Sequence, residues 1–207
     1  MRVCGGIAKG IPLKSAGGAN VRPTTARVRQ AIFSILSHKI PGASVLDLYA
    51  GTGAMGIEAL SRGAVTATFV ESSSAHVRAI RDNLAATRFT EKGAIVRGDV
   101  FSTLASFGQR NQKFDLVIAD PPYAVGENAR NRTPLAEKTL KVLLESGILK
   151  ADSLIILEHA VRGSGPNIPE GLTVLSVRRY GDTAVCILHP SPQQKTKAGR
   201  RSPSQTS

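Results

Sequence analysis

Short apolar runs alternate with amphipathic stretches through the middle of the chain. The runs are rich in β-branched residues and bounded by Gly, Pro or Asp, a pattern that predicts buried strands. Strands are predicted near 44–50, 67–71, 94–97, 115–119 and 153–158, and helices near 54–62, 73–86, 99–106 and 134–147. Two more strands, near 172–178 and 183–188, follow without a long helix between them. We therefore expect an α/β fold: a mostly parallel seven-stranded sheet with one antiparallel edge strand and helices on both faces.

The two ends of the chain have different patterns. The stretch from Val3 to Leu13 contains three glycines, which predicts a small hairpin or arm, and a helix is predicted from Thr24 to Ser37. Residues 190–207 are rich in Ser, Pro, Gln, Lys and Arg and contain no core residues, which predicts disorder. We expect a basic glycine-rich arm at 1–20, one domain at 21–189 and a disordered basic tail at 190–207.

A glycine-rich loop at 51–56 joins the first predicted strand of the sheet to the following helix. Glycines let the backbone turn tightly and approach a ligand that faces the helix N-terminus. The next strand ends in Glu71, twenty residues after Gly51, where an acid can bind a ribose. The order of strand, loop, helix, strand and acid predicts a nucleoside cofactor.

Acidic residues lie at the ends of four predicted strands: Asp47, Glu71, Asp99 and Asp120. Ligands of an open α/β sheet bind beyond these ends, so four acids there predict a site. Each acid alone is also explained as a helix N-cap or a solvated strand end. Asp47 could receive the cationic amino-acid end of S-adenosylmethionine. Asp99 could accept a hydrogen bond from the adenine amine, with Val100 packing on the ring.

The tetrapeptide Asp120, Pro121, Pro122 and Tyr123 follows the apolar run at 114–119. Two prolines cannot continue a paired strand, and they stiffen the chain. The Asp120 carboxylate and the Pro121 carbonyl are two acceptors suited to a planar amine, and the Tyr123 ring could stack on a base. The alternative is a proline-rich turn that caps a strand.

The net charge of +12 is concentrated at the ends of the chain. Residues 1–40 carry seven basic residues and no acid, and the tail carries four more basic residues, which leaves +1 for the residues between. A near-neutral body with a basic arm is typical of a protein that binds a polyanion. The two cysteines and four histidines lack metal-ligand spacing, so we expect no metal. Because no apolar run is long enough to span a bilayer, we expect a cytoplasmic protein.

Several segments together resemble one family, the bacterial methyltransferases that modify the N2 amine of a guanine in 16S ribosomal RNA. These segments are Arg-Pro-Thr-Thr from Arg22, the glycine-loop region at 45–63, Asp-Pro-Pro-Tyr from Asp120, Leu-Glu-His from Leu157 and Tyr-Gly-Asp-Thr from Tyr180. The resemblance implies a Rossmann-like class I methyltransferase fold, S-adenosylmethionine as cofactor, and guanine 966 of 16S ribosomal RNA, within an assembling small subunit, as target.

The resemblance also implies roles for individual residues. The cofactor would be bound by Asp47, Ala50, Gly51, Gly53, Glu71, Asp99 and Val100. The catalytic set would be Asp120, Pro121, Pro122 and Tyr123. From their position on the basic arm and the helix that follows it, we expect Lys9, Lys14, Arg22, Arg27 and Arg29 to contact RNA phosphates.

Three other functions are compatible with parts of the sequence. An adenine-N6 methyltransferase acting on DNA or RNA could use the same Asp-Pro-Pro-Tyr segment, although the chain lacks an insertion large enough to read a duplex. A nicotinamide oxidoreductase would explain the glycine loop and Glu71 but not the segment from Asp120. A non-catalytic RNA-binding assembly factor would explain only the basic arm.

Overall fold

The computed structural model describes residues 1–15, 26–122, 135–161 and 165–191. The helices are α1 (Ala26–Ile35), α2 (Ala54–Ser61), α3 (Ser74–Thr87), α4 (Val100–Gln109) and α5 (Leu135–Glu145). The strands are β1 (Ser44–Leu48), β2 (Thr66–Glu71), β3 (Gly93–Arg97), β4 (Phe114–Ala119), β5 (Leu149–Ala160), β6 (Leu172–Tyr180) and β7 (Thr183–Pro190). A single 3₁₀ turn, Thr90–Lys92, precedes β3. The predicted strands and helices are confirmed, and β5 is longer than predicted. The predicted tail lies outside the described residues from 192 onward.

The seven strands form one sheet in the order β3-β2-β1-β4-β5-β7-β6. The pairs from β3 to β5 are parallel, and β7 is antiparallel to both of its neighbours. The closing pair therefore makes the antiparallel edge region, with β7 second from the edge and β6 outermost. In this order β2 and β3 lie on one side of β1, and β4 and β5 lie on its other side. The crevice between β1 and β4 is the switch point at which such sheets bind ligands.

Helices cover both faces of the sheet, and each face has its own hydrophobic core. On one face α1, α2 and α3 contribute buried residues such as Phe33, Ile57 and Ile80. On the other face α4 and α5 contribute residues such as Leu104 and Leu140. Successive strand residues point to opposite faces, so neighbouring apolar positions fill both cores. This explains why the central strands are apolar at almost every position.

The described part of the N-terminal arm, residues 1–15, folds back as a short hairpin. Arg2 and Pro12 form an antiparallel bridge, and Val3, Ala8 and Leu13 are buried in the first core. The backbone N–H of Ile7 donates to the carbonyl of Ser61 at 2.8 Å, which joins the hairpin to the end of α2. The arm is therefore packed against the domain and contributes to its core.

Candidate active site

The loop between β1 and α2 approaches the carboxyl end of the sheet through an unusual backbone path. Tyr49, Gly51 and Gly53 all have positive φ, with values of 56°, 54° and 75°. Gly53 is also the N-cap of α2, and a Cβ atom there would lie 3.2 Å from Ile80 and Phe69. A Cβ at Gly56 would overlap the ring of Phe69. The glycines thus allow α2 to pack closely on β2 while the loop, including Ala50, remains half-buried at the crevice.

Glu71, the last residue of β2, holds this loop in place. Its Oε2 accepts a hydrogen bond from the N–H of Gly51 at 2.8 Å, and its Oε1 accepts one from the N–H of Ser73 at 2.8 Å. His76 Nδ1 lies 3.6 Å from Oε1. The side chain is almost fully buried, so both oxygens are fixed in orientation. Glu71 therefore connects the glycine loop to the start of α3, and each oxygen keeps a further lone pair for a ligand.

Asp47 lies behind the loop, in β1. Its Oδ2 accepts a hydrogen bond from the N–H of Gly56 at 2.9 Å, inside the first turn of α2. Burial raises the pKa of Asp47 to about 8; the nearby carboxylates of Asp120 and Glu71 also raise it, and the Gly56 hydrogen bond opposes the shift. The three acids predicted from the ends of β1, β2 and β4 are thus close enough to influence one another. A cation bound among them would favour the ionised form of Asp47.

Asp99 is the N-cap of α4, one of the two roles that the sequence allows beside binding of the adenine amine. Its Oδ1 accepts hydrogen bonds from the N–H groups of Phe101 and Ser102, both at 3.0 Å. The side chain is exposed, and among the described residues its Oδ2 makes no hydrogen bond. Capping by Oδ1 leaves Oδ2 available to a ligand. Val100, the next residue, is buried in the second core.

Asp120 follows β4 directly and lies at the switch point. Leu48 pairs with Ala119 in the parallel ladder, so the residues after them, Tyr49 and Asp120, leave adjacent strands together. Asp120 is half-buried, Pro121 is buried and Pro122 is exposed. Tyr123 lies outside the described residues. The structure therefore brings Asp120 to the same crevice as the glycine loop.

Two polar residues that the sequence analysis did not single out also fix the site. Tyr49, in the left-handed conformation, shares a hydrogen bond of 2.8 Å between its hydroxyl and Thr139 Oγ1 on α5, and burial raises its pKa. Asn83 on α3 is fully buried. Its only signal in the sequence is a polar side chain on a face otherwise occupied by residues such as Ile80 and Leu84.

Asn83 joins the N-terminal arm to the glycine loop. Its Oδ1 accepts from the N–H of Lys14 at 2.7 Å, and its Nδ2 donates to the carbonyls of Lys14 at 3.1 Å and Thr52 at 2.9 Å. One side chain therefore holds both the end of the described arm and the loop at the carboxyl end of β1.

The basic residues expected to contact RNA are placed in two different environments. Lys9, Lys14 and Arg27 are exposed, and Lys14 forms a surface ion pair of 2.9 Å with Asp82. Arg22 lies outside the described residues. The prediction for Arg29 is wrong, because its side chain is only 1% exposed and cannot reach a phosphate.

Arg29 instead belongs to a buried ionic network that attaches the arm. Its guanidinium donates to the carbonyl of Arg2 at 2.6 Å, and its Nε lies 3.5 Å from Oε2 of the fully buried Glu58. The same Oε2 accepts from the N–H of Cys4 at 2.7 Å, and Oε1 accepts from Arg62 at 2.8 Å. Charge counting along the chain could not reveal this role, since Glu58 lies on a different helix.

Within the described ranges no three His, Cys, Asp or Glu side chains are grouped as metal ligands. None of the helices that the structure describes is long and apolar enough to cross a membrane.

The sheet order, the glycine loop at its switch point and the acids beyond the strand ends define the Rossmann-like class I methyltransferase fold. The chain belongs to the family described as conserved hypothetical protein 95, whose model matches residues 1–189. This match and the relatives below confirm the family resemblance found in the sequence.

The relatives match over almost the whole chain. Ribosomal RNA small subunit methyltransferase D of Escherichia coli (strain K12) is 31% identical over 198 residues, covering 96% of this chain and 94% of that protein. YlbH of Bacillus subtilis (strain 168) is 33% identical over 191 residues, covering 90% of this chain and 97% of that protein. The solved structure of yhhF from Escherichia coli is 32% identical, has a TM-score of 0.78, and covers 93% of this chain and 99% of that one.

Proposed function

We propose that this protein transfers a methyl group from S-adenosylmethionine to the N2 amine of one guanine in 16S ribosomal RNA, guanine 966 by family resemblance. The observation that carries the proposal is the position of Asp120, Pro121 and Pro122 directly beside the glycine loop at the switch point. The name of the Escherichia coli relative, which specifies small-subunit ribosomal RNA, supports the substrate class.

The residues at the crevice fit S-adenosylmethionine. This cofactor supplies an electrophilic methyl group on a positively charged sulfur, next to a second positive charge on its amino-acid end. Asp47, Glu71 and Asp120 form a group of carboxylates whose mutual repulsion contributes to the raised pKa of Asp47. A cationic ligand relieves that repulsion, whereas the anionic pyrophosphate of a dinucleotide would add to it. The acidic crevice therefore favours the methyl donor over a nicotinamide cofactor.

We assign the cofactor-binding roles as follows. Gly51, Gly53 and Ala50 form the wall of the crevice, and Glu71 orients the Gly51 peptide and is placed to bind the ribose. Asp99 offers Oδ2 to the adenine amine while Oδ1 caps α4. Val100 supports that end of the site from the second core.

The role proposed for Asp120 is to position the target amine. An exocyclic amine is a poor nucleophile because its lone pair is delocalised into the ring. Two acceptors, the Asp120 carboxylate and the Pro121 carbonyl, would bind its two N–H groups and stabilise the positive charge that develops on nitrogen. Positioning of this kind can supply up to roughly 7–11 kcal/mol, so no strong base is required. Tyr123 is proposed to stack on the base, a contact worth about 1–3 kcal/mol.

The substrate is proposed to be RNA in an assembling small subunit, which places the protein in the cytoplasm. Extruding a base from a duplex costs a few kcal/mol, so an exposed or single-stranded guanine is the preferred target. Adenine-N6 methylation is the main alternative, because an adenine amine could occupy the same two acceptors.

The test is methyl transfer in vitro with purified protein, labelled S-adenosylmethionine, and 16S ribosomal RNA, small-subunit particles or DNA as substrate. We expect N2-methylguanosine in the RNA digest. Asp120→Ala should reduce turnover at least a hundredfold while calorimetry shows cofactor binding within a few-fold of wild type. Labelled N6-methyladenosine, or an Asp120→Ala enzyme with nearly normal turnover, would contradict the proposal.

A further inference from the structure

Three arginines surround a groove on the outer edge of the sheet, beside the candidate cofactor site. The groove has a volume of about 400 Å³ and is lined by Ser74, Val77, Arg78, Arg81, Ile95 and Arg97. Its two walls are α3 and β3, and β3 is the edge strand on that side of the sheet. The groove is distinct from the crevice between β1 and β4.

The local structure explains why the arginines converge. Arg78 and Arg81 are three residues apart on α3 and so lie on the same helix face. Ile95 and Arg97 are two residues apart on β3 and so point to the same face of the sheet. Val77 and Ile95 are mostly covered and form an apolar floor, whereas the three arginines are exposed. The result is an apolar groove with guanidinium groups around it.

Within the described ranges, none of these three arginines forms an ion pair with a carboxylate. The nearest acid in sequence to Arg81 is Asp82, which is paired with Lys14. Glu71, which pairs with Arg97 in the strand ladder, uses its carboxylate oxygens on the N–H groups of Gly51 and Ser73. Three like charges around one groove repel each other, and a polyanion relieves this repulsion.

We propose that this groove binds the phosphate backbone of the RNA substrate, next to the nucleotides that flank the target. The proposal rests on the proposed function, which supplies the RNA. Guanidinium groups bind phosphate oxygens through two parallel hydrogen bonds, which makes arginine better suited than lysine to such a groove.

The groove is close to both the arm and the active site. Lys14 forms an ion pair with Asp82, the residue after Arg81, so the end of the described arm contacts α3, the helix that forms one wall of the groove. Three strand spacings separate β3 from β4, or roughly 14 Å at about 4.8 Å each. RNA held in the groove can therefore place a neighbouring nucleotide at Asp120.

The test compares two triple variants that each remove three positive charges. The groove variant is Arg78→Gln, Arg81→Gln and Arg97→Gln. The matched control is Arg110→Gln, Lys141→Gln and Arg178→Gln, three exposed residues at the C-cap of α4, on α5 and on β6, away from the groove. A third variant with lysine at all three groove positions keeps the charge but loses the paired hydrogen bonds. Thermal melting and calorimetry with S-adenosylmethionine verify that each variant is folded and binds cofactor as wild type does.

Affinity for 16S ribosomal RNA is then measured at several salt concentrations. Loss of three phosphate contacts should reduce the magnitude of the salt slope by about 2–3. The affinity lost by the groove variant at 50 mM salt should then exceed that lost at 200 mM by about 20- to 40-fold. The control triple should change the slope by less than one, and the lysine variant should keep most of the slope.

The other outcomes distinguish a failure of the proposed function from a failure of the groove as the RNA-binding site. If the wild-type protein neither binds nor methylates the RNA, the proposed function fails, and this inference fails with it. If the wild type methylates RNA but the groove variant keeps its affinity and slope, or loses no more than the control, only the groove is wrong. Normal binding of free RNA with impaired methylation of assembled particles would assign the groove to a protein of the subunit and would also overturn the inference.

Discussion

Replacing Asn83 with alanine tests whether the arm and the glycine loop are held together as the structure indicates. The substitution removes three hydrogen bonds at a position that is fully buried: from the Lys14 N–H at 2.7 Å, to the Lys14 carbonyl at 3.1 Å and to the Thr52 carbonyl at 2.9 Å. Both the arm and the loop then lose their common partner.

The expected cost follows from these three contacts. A buried group left without a partner costs about 1–3 kcal/mol. The partners here are partly buried, so water can reach some of them, and we expect about 2–4 kcal/mol in total. For a domain of this size that corresponds to a decrease in Tm of about 5–15 °C. If about 1–2 kcal/mol of loop ordering is transferred to cofactor binding, the Kd for S-adenosylmethionine rises about 5- to 30-fold.

The assays are thermal melting and calorimetry, with two companion variants. Asn83→Asp keeps the acceptor for Lys14 N–H but places a carboxylate oxygen against two carbonyls, so it should be at least as damaging as alanine. Asp82→Asn removes only the exposed ion pair with Lys14, which is worth about 0–1 kcal/mol. The reasoning is refuted if Asn83→Ala keeps the wild-type Tm and cofactor affinity, or if Asp82→Asn costs as much.

Three further predictions concern the acids of the crevice and the misassigned arginine. The folded protein holds the Asp47 proton up to a pKa of about 8, whereas the unfolded chain releases it near 3.8, so the stability of the unliganded protein falls as pH rises through this window. Asp47→Asn removes this pH dependence of stability, so in urea unfolding it should stabilise the unliganded protein more at pH 8 than at pH 5. An equal effect at both pH values would contradict the raised pKa of Asp47. Glu71→Gln turns one acceptor into a donor that faces the N–H of Gly51 or Ser73. Calorimetry should therefore show that cofactor binding is weakened about tenfold or more, and wild-type affinity would contradict the role of Glu71. Arg29→Ala removes one of the two arginines that pair with the buried Glu58, together with the hydrogen bond to the Arg2 carbonyl, and should cost about 1–3 kcal/mol in urea unfolding. The salt slope of RNA binding should not change, and a stable variant with a reduced slope would indicate that Arg29 does contact the RNA.

Much of the sheet could be predicted because each strand is marked by a pattern of neighbouring residues in the sequence. The run at 114–119 and the proline pair after it identify β4 and its end from adjacent residues alone. Alternation of strands and helices predicts parallel pairing, but it does not give the order of strands. That order depends on which faces the helices cover, and it is what places Asp120 beside the glycine loop.

Contacts between distant parts of the chain leave little trace in the sequence pattern. The lack of acids among the first forty residues predicts that Arg29 is free to bind RNA, yet its partner Glu58 lies on α2. Asn83 gave only a weak signal because its partners, Lys14 and Thr52, lie far away in sequence.

The burial of the arm also changes how its function should be tested. Val3, Ala8 and Leu13 are part of the first core, so deletion of the arm would destabilise the domain as well as remove positive charge. Substitution of exposed Lys9 isolates the effect of charge, because its side chain contributes nothing to that core.

The most direct test of the central claim is nucleotide-resolved mapping of modified bases in small-subunit ribosomal RNA. The RNA is taken from cells that lack this protein, and from the same cells carrying the wild-type protein or Asp120→Ala. We predict that one N2-methylguanine disappears in the deletion, returns with the wild-type protein and stays absent with Asp120→Ala. Unchanged guanine methylation in the deletion, or loss of an adenine-N6 methyl group in its place, would contradict the account.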